Sequence, residues 1–251
     1  MSGLDKLDKI DNTEKTNPNQ WSALATVLIG LAGFIIANAI SFVIVIISLK
    51  FLKSGFEKDI YFNFGLLVIT DITFLLVIFW YLKSIGLNIK SLGFTEKLKA
   101  SGLLMILPGL AGYVFLTASI SLLFKLAFPG IDLGQEQAIA FKKAAGPLEQ
   151  VFAAVALLVI APISEELIFR GFVFRGFRKQ FGFLAAAVVS SIFFGLVHGQ
   201  INVALDTFAL GLVLCFLYEK TQSIWPSIIL HSFKNGIAFY LLFFTSISAI
   251  W

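Results

Sequence analysis

Residues 21–49 read WSALATVLIGLAGFIIANAISFVIVIISL, with no charge from Trp21 to Leu49. At 1.5 Å rise per residue, about 20 residues cross the roughly 30 Å hydrocarbon layer, so this run spans with length to spare for tilt. It lacks the strict alternation that a barrel strand needs. Further apolar runs follow at Ile60–Leu82, Ser101–Phe124, Val151–Phe169, Phe183–Val197, Ile201–Leu217 and Ile224–Ile250. The expected fold is all-α, a polytopic transmembrane helical bundle of about seven spans (six to eight). Phe183–Val197 is short and must borrow polar flanks, and it is the least distinct from Ile201–Leu217 as a separate helix.

The composition of the whole chain agrees. Of 251 residues, 58% are hydrophobic and 14% charged, and the mean hydropathy is +0.91. Soluble globules carry about 45–50% apolar and about 25% charged residues. So few charges cannot cover a soluble surface. The net charge of +4 could suggest nucleic acid, but the basic residues sit between apolar runs and act as topology signals, so no nucleic-acid partner is expected. Cys215 is the single cysteine, which excludes an intramolecular disulfide and a cysteine zinc cage.

The stretch from Met1 to Gln20 is polar and mixed in charge, without the basic start and short apolar core of a cleaved signal peptide. With that tail inside, Lys and Arg divide about twelve inside to six outside. This favours a multi-pass protein of the cell membrane with a cytoplasmic N-terminus. Asp132–Ala145 reads as an interfacial or lumen-lining helix ended by Gly146-Pro147.

A charge near the bilayer centre costs about 2.5–3.5 kcal/mol, so each one needs a reason. The costly residues gather late in the chain. Glu165, Glu166 and Arg170 interrupt or end the fourth run, His198 ends the fifth, and His231, Lys234 and Asn235 interrupt the seventh. Both histidines of the chain belong to this set. Glu166 and Arg170 are spaced i,i+4, so they can meet on one helix face while Glu165, rotated by about 100°, points elsewhere. Phe194 and His198, and His231 and Asn235, repeat that spacing. Depths along the helices, roughly 22 Å for Glu165, 24 Å for His198 and 12–18 Å for His231 and Asn235, overlap within helix tilt. One intramembrane chamber is expected.

Such a chamber suits hydrolysis. A carboxylate can take a proton from water beside an imidazole, and an imidazole with an amide can stabilise an oxyanion. Two imidazoles and one carboxylate could equally hold a catalytic zinc. The side chains alone do not separate these. Asp71 and Asp206 stand as isolated intramembrane acids, read as polar packing, although with Glu165 they would also suit a transporter.

In these motifs the sequence resembles the CPBP family of CAAX proteases and bacteriocin-processing enzymes, also called Abi. Its pattern appears as Glu165-Glu166-Leu167-Ile168-Phe169-Arg170, Phe194-Gly195-Leu196-Val197-His198 and His231-Ser232-Phe233-Lys234-Asn235, in order and on expected membrane helices. The resemblance covers about Gly146 to Ala238. It implies an intramembrane endopeptidase related to the type II CAAX prenyl protease, acting on membrane-associated peptides or proteins in the lipid bilayer. Glu165 with His198 would activate water, His231 and Asn235 would complete the site, and Glu166 would support it and share in it. If a divalent metal such as zinc is used, Glu165, His198 and His231 would be its ligands. Other intramembrane protease signatures, such as His-Glu-x-x-His or Gly-x-Gly-Asp, are missing. The chain then divides into a polar tail at 1–20, N-terminal transmembrane helices and loops at 21–145, and a catalytic transmembrane core at 146–251. A non-catalytic bacteriocin-immunity or scaffold protein on the same fold is the alternative.

Overall fold

The computed structural model describes residues 21–52, 55–56, 59–94, 98–131, 133, 144 and 146–244. The expected tail at 1–20 and nearly all of the expected Asp132–Ala145 helix lie outside the described residues. The apolar runs become helices α1 Ala23–Phe51, α2 Ile60–Ser84, α3 Ala100–Ala127, α4 Pro147–Arg178, α5 Phe183–Leu196, α6 Ile201–Thr221 and α7 Trp225–Phe244. Six are long and apolar enough to cross a bilayer, and α5 is shorter at 14 residues. The all-α polytopic bundle is therefore what the chain forms. α5 and α6 are separate helices, joined by a turn in which Gly199 has φ +74°.

One boundary differs from expectation. The fourth run was expected to end at Phe169, with a loop from Arg170 to Gly182, but α4 continues through Arg170 to Arg178. The apolar run stops at Phe169 because Arg170 is charged. Here the protein itself buries Arg170 and pairs it, so the helix has no reason to stop.

The bundle is unevenly packed. In the most apolar window of α1, α2 and α3 only 11%, 6% and 11% of residues are buried, against 44% for α4 and 50% for α6. The first three helices present leucine, isoleucine and phenylalanine outward to lipid, where apolar exposure is not penalised. The core lies around the second half of α4, with Phe172, Phe174, Phe194, Leu210, Leu214, Leu217 and Leu230 fully enclosed. In lipid, close packing has to replace the hydrophobic effect, and small residues allow it. A Cβ on Gly195 would come within 2.8 Å of the Ala204 carbonyl oxygen, so a glycine is what lets α5 and α6 cross at this distance.

One end of the bundle is tied together by polar contacts. Ala23 N–H donates to Gln180 Oε1 at 2.9 Å, Arg178 Nη2 pairs with Glu219 Oε1 at 2.8 Å, and Arg175 donates to the Ser91 carbonyl. Lys179 Nζ lies 4.6 Å above the Trp21 ring, which itself stacks on Phe172. The start of α1, the α2–α3 link and the ends of α4 and α6 thus share one side. This is the alternation expected of consecutive helices that run up and down the bundle.

α4 is not a uniform α-helix. Two stretches, Ala156–Ile160 and Leu167–Phe174, are wound as π-helix on either side of the Ala161–Glu166 turn. Such stretches are rare and often mark functional sites. In the first, the Ala161 N–H donates five residues back to the Ala156 carbonyl. The next donor in that pattern would be residue 162, which is Pro162 and has no N–H.

Candidate active site

The site grows from that turn of α4. Glu166 and Arg170 form the ion pair expected from their spacing, with Arg170 Nη1 to Glu166 Oε1 at 2.8 Å and both side chains 0% exposed. Burying such a pair is tolerable only when geometry and further hydrogen bonds compensate the lost hydration. Two compensations are present. The guanidinium carbon of Arg170 lies 4.4 Å from the centre of the Phe194 ring, a cation–π contact in a desolvated place. Glu166 Oε1 also meets His231 Nδ1 at 2.9 Å.

That second contact orients the imidazole. Glu166 Oε1 accepts from Arg170 and from His231 Nδ1, which leaves Nε2 pointing the other way. His231 Nε2 is 3.6 Å from Glu165 Oε2. Glu165 differs from its neighbour in access, since its side chain is 25% exposed. The adjacent carboxylates therefore have separate situations: Glu166 is enclosed and holds cations, while Glu165 is reachable and faces an imidazole nitrogen.

His198 meets the same Phe194 ring as His231. Its Nδ1 is 2.7 Å from the Phe194 carbonyl oxygen, and both imidazoles meet the Phe194 ring edge-on, at 5.1 Å for His198 and 5.7 Å for His231. With Nδ1 donating to that carbonyl, Nε2 of His198 is left for chemistry. Asn235 is placed differently from a free amide on the chamber wall. Its Nδ2 donates to the Leu157 carbonyl at 3.0 Å. This is the carbonyl that Pro162 would serve if it had an N–H, so Asn235 replaces a missing backbone donor of α4. A parallel contact supports the second π stretch, where Ser190 Oγ donates to the Phe169 carbonyl at 2.9 Å.

Two acids read as isolated in the sequence are engaged. Asp206 accepts from Tyr113 Oη at 2.5 Å and pairs with Lys234 Nζ at 2.9 Å, with Thr117 Oγ1 3.4 Å away. Asp71 Oδ2 accepts from Ser164 Oγ at 2.6 Å, beside Glu165 in sequence. Sequence reasoning missed Tyr113, Thr117 and Ser164 as members of these groups. A Tyr-x-x-x-Thr spacing within an apolar run was the available signal for the first two. Cys215 is free and fully buried, as a small packing residue.

The three residues named for a metal, Glu165, His198 and His231, do not gather as ligands. Among the described residues no three His, Cys, Asp or Glu side chains surround a common point in a way that would hold an ion. His231 Nδ1 is taken by Glu166 and His198 Nδ1 by its own helix.

A helical membrane bundle with ionisable groups enclosed at mid-span defines a class of integral membrane protein in which such groups serve function. The family model for the type II CAAX prenyl endopeptidase Rce1-like family matches residues 147–237. This stretch holds all three motifs, so the similarity to that family falls on the residues of the candidate site. The chain is 31% identical over 136 residues to "Putative membrane peptidase YdiL" of Bacillus subtilis (strain 168), covering 53% of this chain and 54% of that one. It is also similar to two proteins of Lactococcus lactis subsp. lactis (strain IL1403). "UPF0177 protein YbdJ" is 38% identical over 34% of this chain and 37% of its own length, and "UPF0177 protein YxdF" is 34% identical over 31% and 42%. The chain thus spans about half the length, or less, of the curated relatives it matches. No solved structure matches it.

Proposed function

We propose that the chain is an intramembrane endopeptidase that hydrolyses peptide bonds of membrane-associated peptides or proteins, of the CAAX or bacteriocin- and pheromone-precursor kind. One observation carries this reading: a reachable carboxylate, Glu165, faces a histidine nitrogen whose ring is fixed from behind by an enclosed carboxylate–guanidinium pair. Glu165 takes a proton from water, and the hydroxide attacks the peptide carbonyl carbon. Nε2 of His198 accepts the other hydrogen of that water and orients it, Nε2 of His231 faces the proton taken up by Glu165, and Glu165 gives that proton to the departing amine as the C–N bond breaks. Glu166 and Arg170 hold His231 in register, and Asn235 completes the site by keeping α4 in shape. The family match and the YdiL similarity support the protease class.

The test compares peptide termini in membranes carrying wild-type protein and Glu165→Gln at equal abundance. Termini that depend on Glu165, with a rate loss of about 10²–10⁴-fold in the variant, are the expected result. Identical termini with the cellular effect intact in the variant would instead select the immunity or scaffold role. A chelator arm belongs in the same experiment. Unchanged cleavage fits the side-chain mechanism, and a loss restored by zinc moves Glu165, His198 and His231 into the role of ligands. The Lys and Arg distribution supports a cytoplasmic N-terminus in the cell membrane. A thiol probe on a cysteine placed in the 1–20 tail would read that side directly.

A further inference from the structure

The sequence motifs all lie between Glu165 and Asn235, yet one polar group from the first three helices reaches the catalytic turn. Asp71 stands eleven positions after Ile60, the start of the 25-residue helix α2, deep in an apolar span. Its Oδ2 accepts from Ser164 Oγ at 2.6 Å, and Ser164 immediately precedes Glu165 and is buried. Among the described residues no lysine or arginine pairs with Asp71. Its carboxylate lies close enough to Glu165 to act on it electrostatically, as do Glu166, Arg170 and His231.

Satisfying Ser164 does not require this acid. The same hydroxyl lies 2.9 Å from the Ile160 carbonyl and 3.0 Å from the Ala161 carbonyl, the usual way a serine is accommodated in a membrane helix. A charged acceptor in mid-membrane is therefore more than the packing of α2 on α4 needs. What it adds is direction. By drawing the Ser164 hydroxyl toward α2, Asp71 fixes the backbone turn that sets where the Glu165 side chain starts.

We propose that Asp71, through its hydrogen bond with Ser164, is a positioning residue of the site that aims Glu165 at His231. The first three helices then supply part of the catalytic geometry. This rests on the endopeptidase reading for its effect on rate, but its structural content stands without it.

The experiment uses the full chain in lipid nanodiscs. Asp71→Ala should lower kcat about tenfold at unchanged KM, and Asp71→Asn, which keeps an oxygen to accept from Ser164, should recover most of it. Ser164→Ala breaks the same bond from the other side and should reproduce the Asp71→Ala loss, so the proposal stays testable if Asp71→Ala fails to fold. The melting temperature should not fall in Asp71→Ala, because an intramembrane acid has been removed, whereas a purely structural role would lower it. A readout free of substrate separates the two readings. Labelling of Glu165 by a hydrophobic carbodiimide, followed by peptide mass, should change several-fold in Asp71→Ala and return in Asp71→Asn. Altered labelling without any Glu165-dependent cleavage would remove the protease and keep the positioning. Unaltered labelling, or an Asn variant as impaired as the Ala variant, would overturn the positioning itself.

Discussion

The Glu166–Arg170 and Asp206–Lys234 ion pairs are built on opposite terms. Glu166 and Arg170 lie one turn apart on α4, are wholly enclosed and share His231 as a third member. Asp206 and Lys234 come from α6 and α7, are 17% and 19% exposed, and are joined by Tyr113 from α3. The first pair is local in sequence and cut off from solvent, so its charges depend on one another. The second is assembled from three helices and keeps some access, so losing one member leaves the rest partly solvated or rebonded. The difference teaches where rigidity is required. The enclosed pair stands behind the imidazole that faces Glu165, while the open pair closes a side wall.

This contrast can be broken most sharply at the enclosed pair. Arg170→Met leaves Glu166 buried without its guanidinium, and a cost of about 3–5 kcal/mol is expected. Thermal unfolding in detergent should show it, together with loss of cleavage. Glu166→Gln should be nearly as severe, and a milder double variant than either single one would confirm that the pair acts as a unit. Single variants that unfold like wild type would show that the enclosed pair does not carry this stability.

At the open pair, Lys234→Met should cost about 1–2 kcal/mol, since Asp206 keeps Tyr113 and some solvent. Cleavage should persist. A loss comparable to that of Arg170→Met would erase the contrast between the two regions.

Asn235→Ala sharpens the comparison, because Asn235 neighbours Lys234 on α7 but serves α4. Removing its bond to Leu157 should cost about 0.6–1.7 kcal/mol. Unlike Lys234→Met, it should also slow cleavage, measured as kcat on the same substrate. The smallest effect is expected far from both pairs. Leu28 on the outward face of α1 is 56% exposed, and the stability change of Leu28→Val should stay within about 0.5 kcal/mol.

These expectations follow the line between what the sequence announces and what it hides. Helix identity was legible because lipid imposes it: an uncharged run of sufficient length can only be a helix, and each expected run is one. The Glu166–Arg170 pair was legible because both members ride on one helix, where spacing alone sets distance. Asp206 with Lys234 could not be read, since 28 residues and a turn separate them in sequence and nothing local records that their helices pack side by side. Asn235 shows the same limit from another direction. Its spacing from His231 suggested a shared face, but its partner was fixed by Pro162 and the π winding of α4, both more than 70 residues earlier. The apolar run stops at Arg170, but the helix runs on, because the surroundings of that charge are protein.

The Asn235–Leu157 bond has a consequence for how the protein is made. Ribosomes release α4 into the membrane well before α7 exists, so the fourth helix enters with a gap in its backbone ladder and an ion pair awaiting its histidine. Both needs are met by one later segment. Until synthesis has passed residue 235 and α7 has docked, the helix bearing Glu165 and Glu166 is unfinished. His231 and Asn235 arrive together on α7, so one docking event supplies both partners of the first motif.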